Sequence, residues 1–222
     1  MGYSMAVDGP AGAGKSTIAK LAAKELGLIY IDTGAMYRAI GLHFINNDIV
    51  PEDSEAAKIA CDGLSINIKY EDGIQQIYLN GENVSARIRM EEVGKMASAV
   101  AKLPFVRSKL VDIQRQLAKN ENVIMDGRDI GTCVLPDANV KIYLTANSRV
   151  RAQRRYNELV EKNIKCDIDE IEASIIARDY EDMHREISPL RQADDAILLD
   201  TSDMDIAMVV NSIKNIYEES LK

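Results

Sequence analysis

Short apolar runs alternate along the chain with longer segments of helical period. Ser4-Met5-Ala6-Val7-Asp8 predicts a strand that runs into a Gly-rich turn, and Lys15 to Leu26 predicts a helix stopped by Gly27. Leu28 to Asp32 predicts a second strand, and Gly34 to Asn46 a second helix. Val123 to Asp126 and Val140 to Leu144 predict two more strands. Helices are expected over Ser148 to Lys162 and Ile168 to Arg185, then a fifth strand over Ala196 to Asp200 and a last helix over Ile206 to Leu221. Strands separated by helices predict an α/β fold: a five-stranded parallel sheet with helices on both faces.

One stretch has a different period. Leu64 to Tyr70 alternates apolar and polar residues, Glu71-Asp72-Gly73 follows, and Ile74 to Leu79 resumes the apolar pattern. That predicts an antiparallel hairpin with an Asp-Gly turn, a small insert over 63–86. Helical patterns between Met90 and Lys119 lead back to the sheet. The whole chain, 1–222, is read as one domain. Its core is 1–62 and 120–222, with the insert at 63–86 and connecting helices at 87–119.

Composition narrows the class. With 222 residues there is room for one sizeable core. There is no Trp and only two Phe, so aliphatic residues and Met must fill that core. A net charge of -8 argues against a general nucleic-acid binder. Any anionic ligand must therefore be met by local clusters of the 13 arginines. The three cysteines stand far apart without C-x-x-C or metal-ligand spacing, as expected of reduced thiols in a cytoplasmic protein.

Gly9-Pro10-Ala11-Gly12-Ala13-Gly14-Lys15-Ser16 fits G-x-x-x-x-G-K-[ST] without a gap, between a predicted strand and a predicted helix. Glycines let backbone N–H groups approach phosphate oxygens, and the following helix points its positive end at them. Lys15 can span the β- and γ-phosphates, and the hydroxyl of Ser16 or Thr17 can reach Mg²⁺. Asp126 ends an apolar strand and is a candidate water-mediated Mg²⁺ contact, with Asp8 a rival. The motif implies nucleotide binding and leaves the reaction open.

Three further motifs follow in order: Asp32-Thr33-Gly34-Ala35-Met36-Tyr37-Arg38, Asp126-Gly127-Arg128-Asp129-Ile130-Gly131-Thr132, and the run from Arg178 through Asp182 and Arg185 to Leu190. With the Gly-rich loop they make the chain resemble the bacterial cytidylate kinases, within the P-loop nucleoside monophosphate kinases. The resemblance runs from the first strand to the last helix; the 63–86 insert is similar to that family's addition to the nucleoside-monophosphate-binding region, and 87–119 would be the nucleoside-monophosphate-binding helices. It implies ATP-dependent phosphorylation of CMP and dCMP with Mg²⁺, by a monomer whose partners are small molecules rather than nucleic acid or membrane. Gly9 to Thr17 would bind ATP. A helical lid near 148–162 would close Arg151, Arg154 and Arg155, which lie at i, i+3 and i+4, over the phosphates; with Lys15 and Arg128 they form the expected catalytic set. For CMP the resemblance points to Arg38, Arg128 and Arg185 at the phosphate, and to Arg178 and Asp182 at the sugar. It assigns Thr33, Ser98, Arg107 and Asp129 to the base, with Tyr37 packing alongside. By spacing alone, Arg178, Asp182 and Arg185 share a helix face, and Ser98 and Arg107 read as helix surface.

Competing readings are a UMP or AMP kinase, a GTP-binding switch protein and a non-catalytic nucleotide-binding module. The switch would need an Asn/Thr-Lys-x-Asp guanine motif, which the sequence lacks. The module would lack the lid arginines.

Overall fold

The computed structural model describes residues 2–71 and 73–222, apart from the side chain of Ser54. The elements run β1 (Ser4–Asp8), α1 (Lys15–Leu26), β2 (Ile29–Asp32), α2 (Thr33–Asn46), α3 (Ser54–Asp62), β3 (Ile66–Glu71), β4 (Ile74–Leu79), β5 (Glu82–Asn83), α4 (Glu91–Val100), α5 (Pro104–Asn120), β6 (Val123–Gly127), β7 (Val140–Thr145), α6 (Ser148–Glu161), α7 (Ile168–His184), β8 (Ile197–Asp200) and α8 (Ile206–Ser220). A five-stranded parallel sheet has the order β2-β6-β1-β7-β8, and β3-β4-β5 form a separate sheet. The chain divides into two bodies: residues up to Tyr30 together with Ala118–Lys222, and Ile31–Leu117.

In the first body β1 is the central strand, pairing in parallel with β6 and β7. Met5, Ala6 and Val7 are all buried, because a strand covered on both faces reads as a continuous apolar run. Ile18, Ala19, Ala22 and Ala23 of α1 and Val209, Val210 and Ile213 of α8 pack into one core with Met5, Val7, Ile124, Ile142 and Leu144. The ends of β1, β6 and β7 therefore carry Asp8, Asp126 and Thr145 on a rigid frame.

In the second body α2, α4 and the small sheet share a core that includes Met36, Ile40, Phe44, Ile66, Ile77 and Val100. β3 and β4 pair antiparallel, with Glu71 opposite Ile74. Gly73 turns with φ 74, while Asp72, the other half of the expected Asp-Gly turn, lies outside the described residues. The expected hairpin is in fact three-stranded. Asn80 and Gly81, both at positive φ, make a second tight turn that returns the chain as β5. Helix α3 was not foreseen. Its signals are local: Asp53 accepts the Ala56 N–H as N-cap, and Ala57 and Cys61 supply its buried face.

Candidate active site

Five helices, α2, α3, α6, α7 and α8, open with an Asp or Asn whose side chain accepts a backbone N–H of the first turn. Helix α1 opens differently. Its N-cap is Gly14 in the left-handed region, with no side-chain cap and no acidic residue in the first turn. Its N-terminal N–H groups are thus presented to an external anion. Gly9 is required by packing as well as by the turn, since a Cβ there would lie 2.0 Å from the Leu144 carbonyl oxygen.

Lys15 is buried, and its Nζ donates to the carbonyls of Gly9 and Pro10 at 2.7 Å each. Burial, then the charge of Arg128, lowers its pKa from 10.5 to about 7 against the pull of Asp126, Asp8 and Asp182. An arriving polyphosphate favours the ammonium. Binding should then take up protons above about pH 7, between the free and the ligand-raised pKa, and weaken as pH rises through that window. The sign for folding is separate: a lowered lysine pKa leaves the unliganded fold most favoured above 10.5, with that contribution lost as pH falls through about 7. Calorimetry with ATP in two buffers of different ionisation heat measures the proton uptake. It should vanish in Lys15→Met; buffer-independent heats in the wild type would contradict the assignment.

Ser16 Oγ donates to Asp126 Oδ2 at 2.7 Å, and Tyr30 donates to Asp126 Oδ1 at 3.2 Å. Asp8, the rival carboxylate, is otherwise engaged. It accepts the N–H of Ile130 at 2.8 Å and of Gly131 at 2.7 Å, holding the turn that follows β6. Burial nevertheless raises its pKa to about 6. Among the described residues no cluster of three or more His, Cys, Asp or Glu could hold a metal alone. Ser16 and Asp126 fit a Mg²⁺ whose other ligands are phosphate oxygens and water.

The expected face of Arg178, Asp182 and Arg185 needs correction. Helix α7 ends at His184, and Arg185 is already extended (φ -63, ψ 142). Its Nε donates to the Ser188 carbonyl at 2.6 Å, and its Nη2 reaches Asp129 at 3.3 Å. Asp182 instead accepts from Arg128 Nε at 2.7 Å. Asp129 thus pairs with Arg185, and Arg128 with Asp182. Burial would raise the Asp182 pKa, but Arg128, Arg178 and Arg185 together hold it below the usual carboxylate range. Arg178 has its Nε buried without a hydrogen-bond partner, a donor suited to a ligand. Burial, then Arg128, lowers its pKa.

The α6 arginines, grouped by spacing, separate in space. Arg151 is buried and bonded to Asp179 at 2.6 Å and to the Ala11 carbonyl at 2.8 Å. Arg154 reaches the carbonyls of Thr201 at 2.8 Å and Ala13 at 3.4 Å. Arg155 is exposed beside Glu158 at 2.9 Å.

In the second body Thr33 opens α2 and is buried. Arg107 is also buried, which its sequence position did not suggest, and donates to the Tyr37 hydroxyl at 3.3 Å. Arg38 donates to the carbonyls of Ile88 at 3.1 Å and Met90 at 3.4 Å. It lies so close to Gly94 that a Cβ there would meet its guanidinium at 2.9 Å. Ser98 Oγ contacts the Gly94 carbonyl at 3.4 Å. Asp32, missed as a structural residue, caps α2, accepts Arg89 at 3.4 Å and binds Gln75 through its own N–H. Its position before Thr33, three residues ahead of Ala35, is an N-cap signal that was available.

The cytidylate kinase family model matches residues 5–219. The chain belongs to the cytidylate kinase family. The cytidylate kinase of Lactobacillus johnsonii is 50% identical over 218 residues, covering 98% of this chain and 95% of that one. The cytidylate kinase of Caldicellulosiruptor saccharolyticus is 50% identical over 214 residues, covering 96% and 95%. Among solved structures, an uncharacterized protein from Eubacterium ventriosum superposes with a TM-score of 0.55 at 10% identity, covering 98% of this chain and 99% of that one; that likeness concerns the fold. Family membership makes the chain a phosphotransferase.

Proposed function

We propose that the chain transfers the γ-phosphoryl group of ATP to CMP and dCMP, giving CDP and dCDP. The observation that carries the donor half is α1, opened by the Gly-rich loop without a side-chain cap and with Lys15 beneath it. The acceptor half rests on cytidylate kinase relatives that match nearly the whole chain. Gly9 to Thr17 bind the ATP phosphates. Ser16 and Asp126 would hold Mg²⁺, which when bound would neutralise charge on the phosphate oxygens. The residues assigned to CMP binding are Thr33, Tyr37, Arg38, Ser98, Arg107, Arg128, Asp129, Arg178, Asp182 and Arg185. The insert at 63–86 and the helices of 87–119 belong to the acceptor side.

The chemistry asks little of a general base, because the attacking CMP phosphate oxygen is already ionised. It asks for positioning and for neutralisation of charge spreading over the transferring group. Arg128 supplies permanent positive charge, and Lys15 supplies it once phosphate favours its ammonium form. Arg154 and Arg155 on α6 add more by closing over the nucleotide and excluding water. Among the described residues no helix is long and apolar enough to cross a membrane. We take the working unit to be a cytoplasmic monomer acting on small molecules.

The test is ADP release with ATP as donor and CMP, dCMP, UMP, AMP and GMP as acceptors. CMP and dCMP should exceed the others in kcat/KM by about 10²-fold or more, the discrimination available to a site that hydrogen-bonds one base edge. Equal turnover of UMP or AMP would overturn the choice of acceptor, and no turnover with any would overturn the activity.

A further inference from the structure

The carbonyls of the phosphate loop are almost all accounted for. Those of Gly9 and Pro10 accept from Lys15, that of Ala11 from Arg151, that of Ala13 from Arg154, and that of Gly14 from the Ile18 N–H. In a trans peptide the C=O of one residue and the N–H of the next point in opposite directions, and no peptide among the described residues is cis. Each carbonyl bond therefore also aims an N–H. With the Pro10 carbonyl turned in toward Lys15, the Ala11 N–H is turned out, where Asp179 Oδ1 accepts it at 3.2 Å. With the Ala11 carbonyl turned out toward Arg151, the Gly12 N–H is turned in.

Arg151 and Asp179 thus grip both polar groups of Ala11 and each other. The pair is buried, and Arg151 Nε is anchored on the Ala146 carbonyl at 2.8 Å. Gly12 carries the left-handed turn that this arrangement needs, at φ 73, a conformation L side chains rarely adopt; a Cβ there would be in ordinary contact with Arg151 and Ile175, at 3.5 and 3.8 Å. One turn beyond Asp179, Asp182 holds Arg128.

We propose that Arg151 and Asp179 are positioning residues for the donor nucleotide. The pair sets the peptides on either side of Ala11 so that the Gly12 N–H is aimed into the anion cradle before a nucleotide arrives. Arg151 acts through the loop and does not touch the transferring phosphate. This rests on the reading of the loop as the ATP site. A guanidinium is needed because its fixed fork serves Ala146, Ala11 and Asp179 together, which a single ammonium cannot do.

The test uses the full chain and two conservative variants, Arg151→Lys and Asp179→Asn, with folding checked by near-UV circular dichroism. Affinity for ADP and ATP is measured by calorimetry without acceptor, and turnover at saturating ATP. Arg151→Lys should weaken ADP and ATP binding alike, about tenfold, with kcat changed less than about threefold, the signature of a lost uniform binding contribution. Asp179→Asn keeps an acceptor for the Ala11 N–H and should lose about threefold in the same two affinities. Because the residues act as one unit, the double variant should bind no worse than Arg151→Lys alone. If Arg151→Lys does not fold, an equal loss of ADP and ATP affinity in Asp179→Asn still carries the proposal, and unchanged affinities overturn it. A fall in kcat of tenfold or more with ADP affinity intact also overturns it, by placing Arg151 on the transferring phosphate. Wild-type protein that binds neither ADP nor ATP would refute the donor-site reading itself, whatever the variants do.

Discussion

Lys15→Ala should lower kcat about 10²–10³-fold, the usual cost of deleting one preorganised stabiliser of developing charge, while the protein stays folded. Lys15 Nζ spans two loop carbonyls at the foot of the cradle, and burial and Arg128 both oppose its charge in the unliganded protein. Its charged form is disfavoured until phosphate arrives, so its contribution grows with the negative charge it meets. Deleting it leaves the carbonyls of Gly9 and Pro10 without this donor, but the apolar core of Met5, Val7, Ile18 and Ile124 is untouched. The measurement is steady-state turnover with ATP and CMP alongside thermal unfolding. A folded variant within tenfold of wild-type kcat would mean that the loop does not hold the transferring phosphate.

The second large effect concerns base choice. Asp129→Asn should narrow the CMP-to-UMP ratio of kcat/KM by about tenfold or more, roughly 1.4 kcal/mol of lost discrimination. A carboxylate only accepts, so it suits the cytosine N4 amino group and repels the uracil O4; an amide NH₂ can face O4. Asp129 is buried and paired with Arg185 at 3.3 Å. The substitution therefore also weakens the hold on Arg185, which is proposed to bind the acceptor phosphate. That loss is common to CMP and UMP and cancels in the ratio. If both KM values rise together and the ratio stays put, Asp129 serves only to orient Arg185.

The parts of the molecule legible from sequence are those written in local pattern. Buried central strands read as apolar runs, and the loop reads as glycines at fixed spacing because phosphate approach leaves no room for side chains. The arginine pairings were not legible. Arg185 continued the i, i+4, i+7 pattern of α7, yet α7 stops one residue short, and the guanidinium turns to Ser188 and Asp129. Asp179 has no local signal of its own between Arg178 and Asp182. Its partners Ala11 and Arg151 are brought to it by tertiary structure, the first from 168 residues away. Ser98 and Arg107 were reached only through family resemblance, since a buried arginine on a helix has no local signature. The return strand β5 did have one, in Asn80-Gly81.

The central place of β1 also bears on how the protein is made. The partners of its first residues are Val123 and Val140, far along the chain, so β1 leaves the ribosome long before its pairing can be completed. Until β6 emerges, Met5, Ala6 and Val7 travel as an unpaired apolar segment, the kind of surface that aggregates or engages chaperones, and one side of β1 stays open until β7 follows. The body formed by Ile31–Leu117 is continuous in sequence, and its contacts close over shorter separations, a lower entropic cost. During translation it can form first, while the strand leading into the phosphate loop waits for chain still to be synthesised.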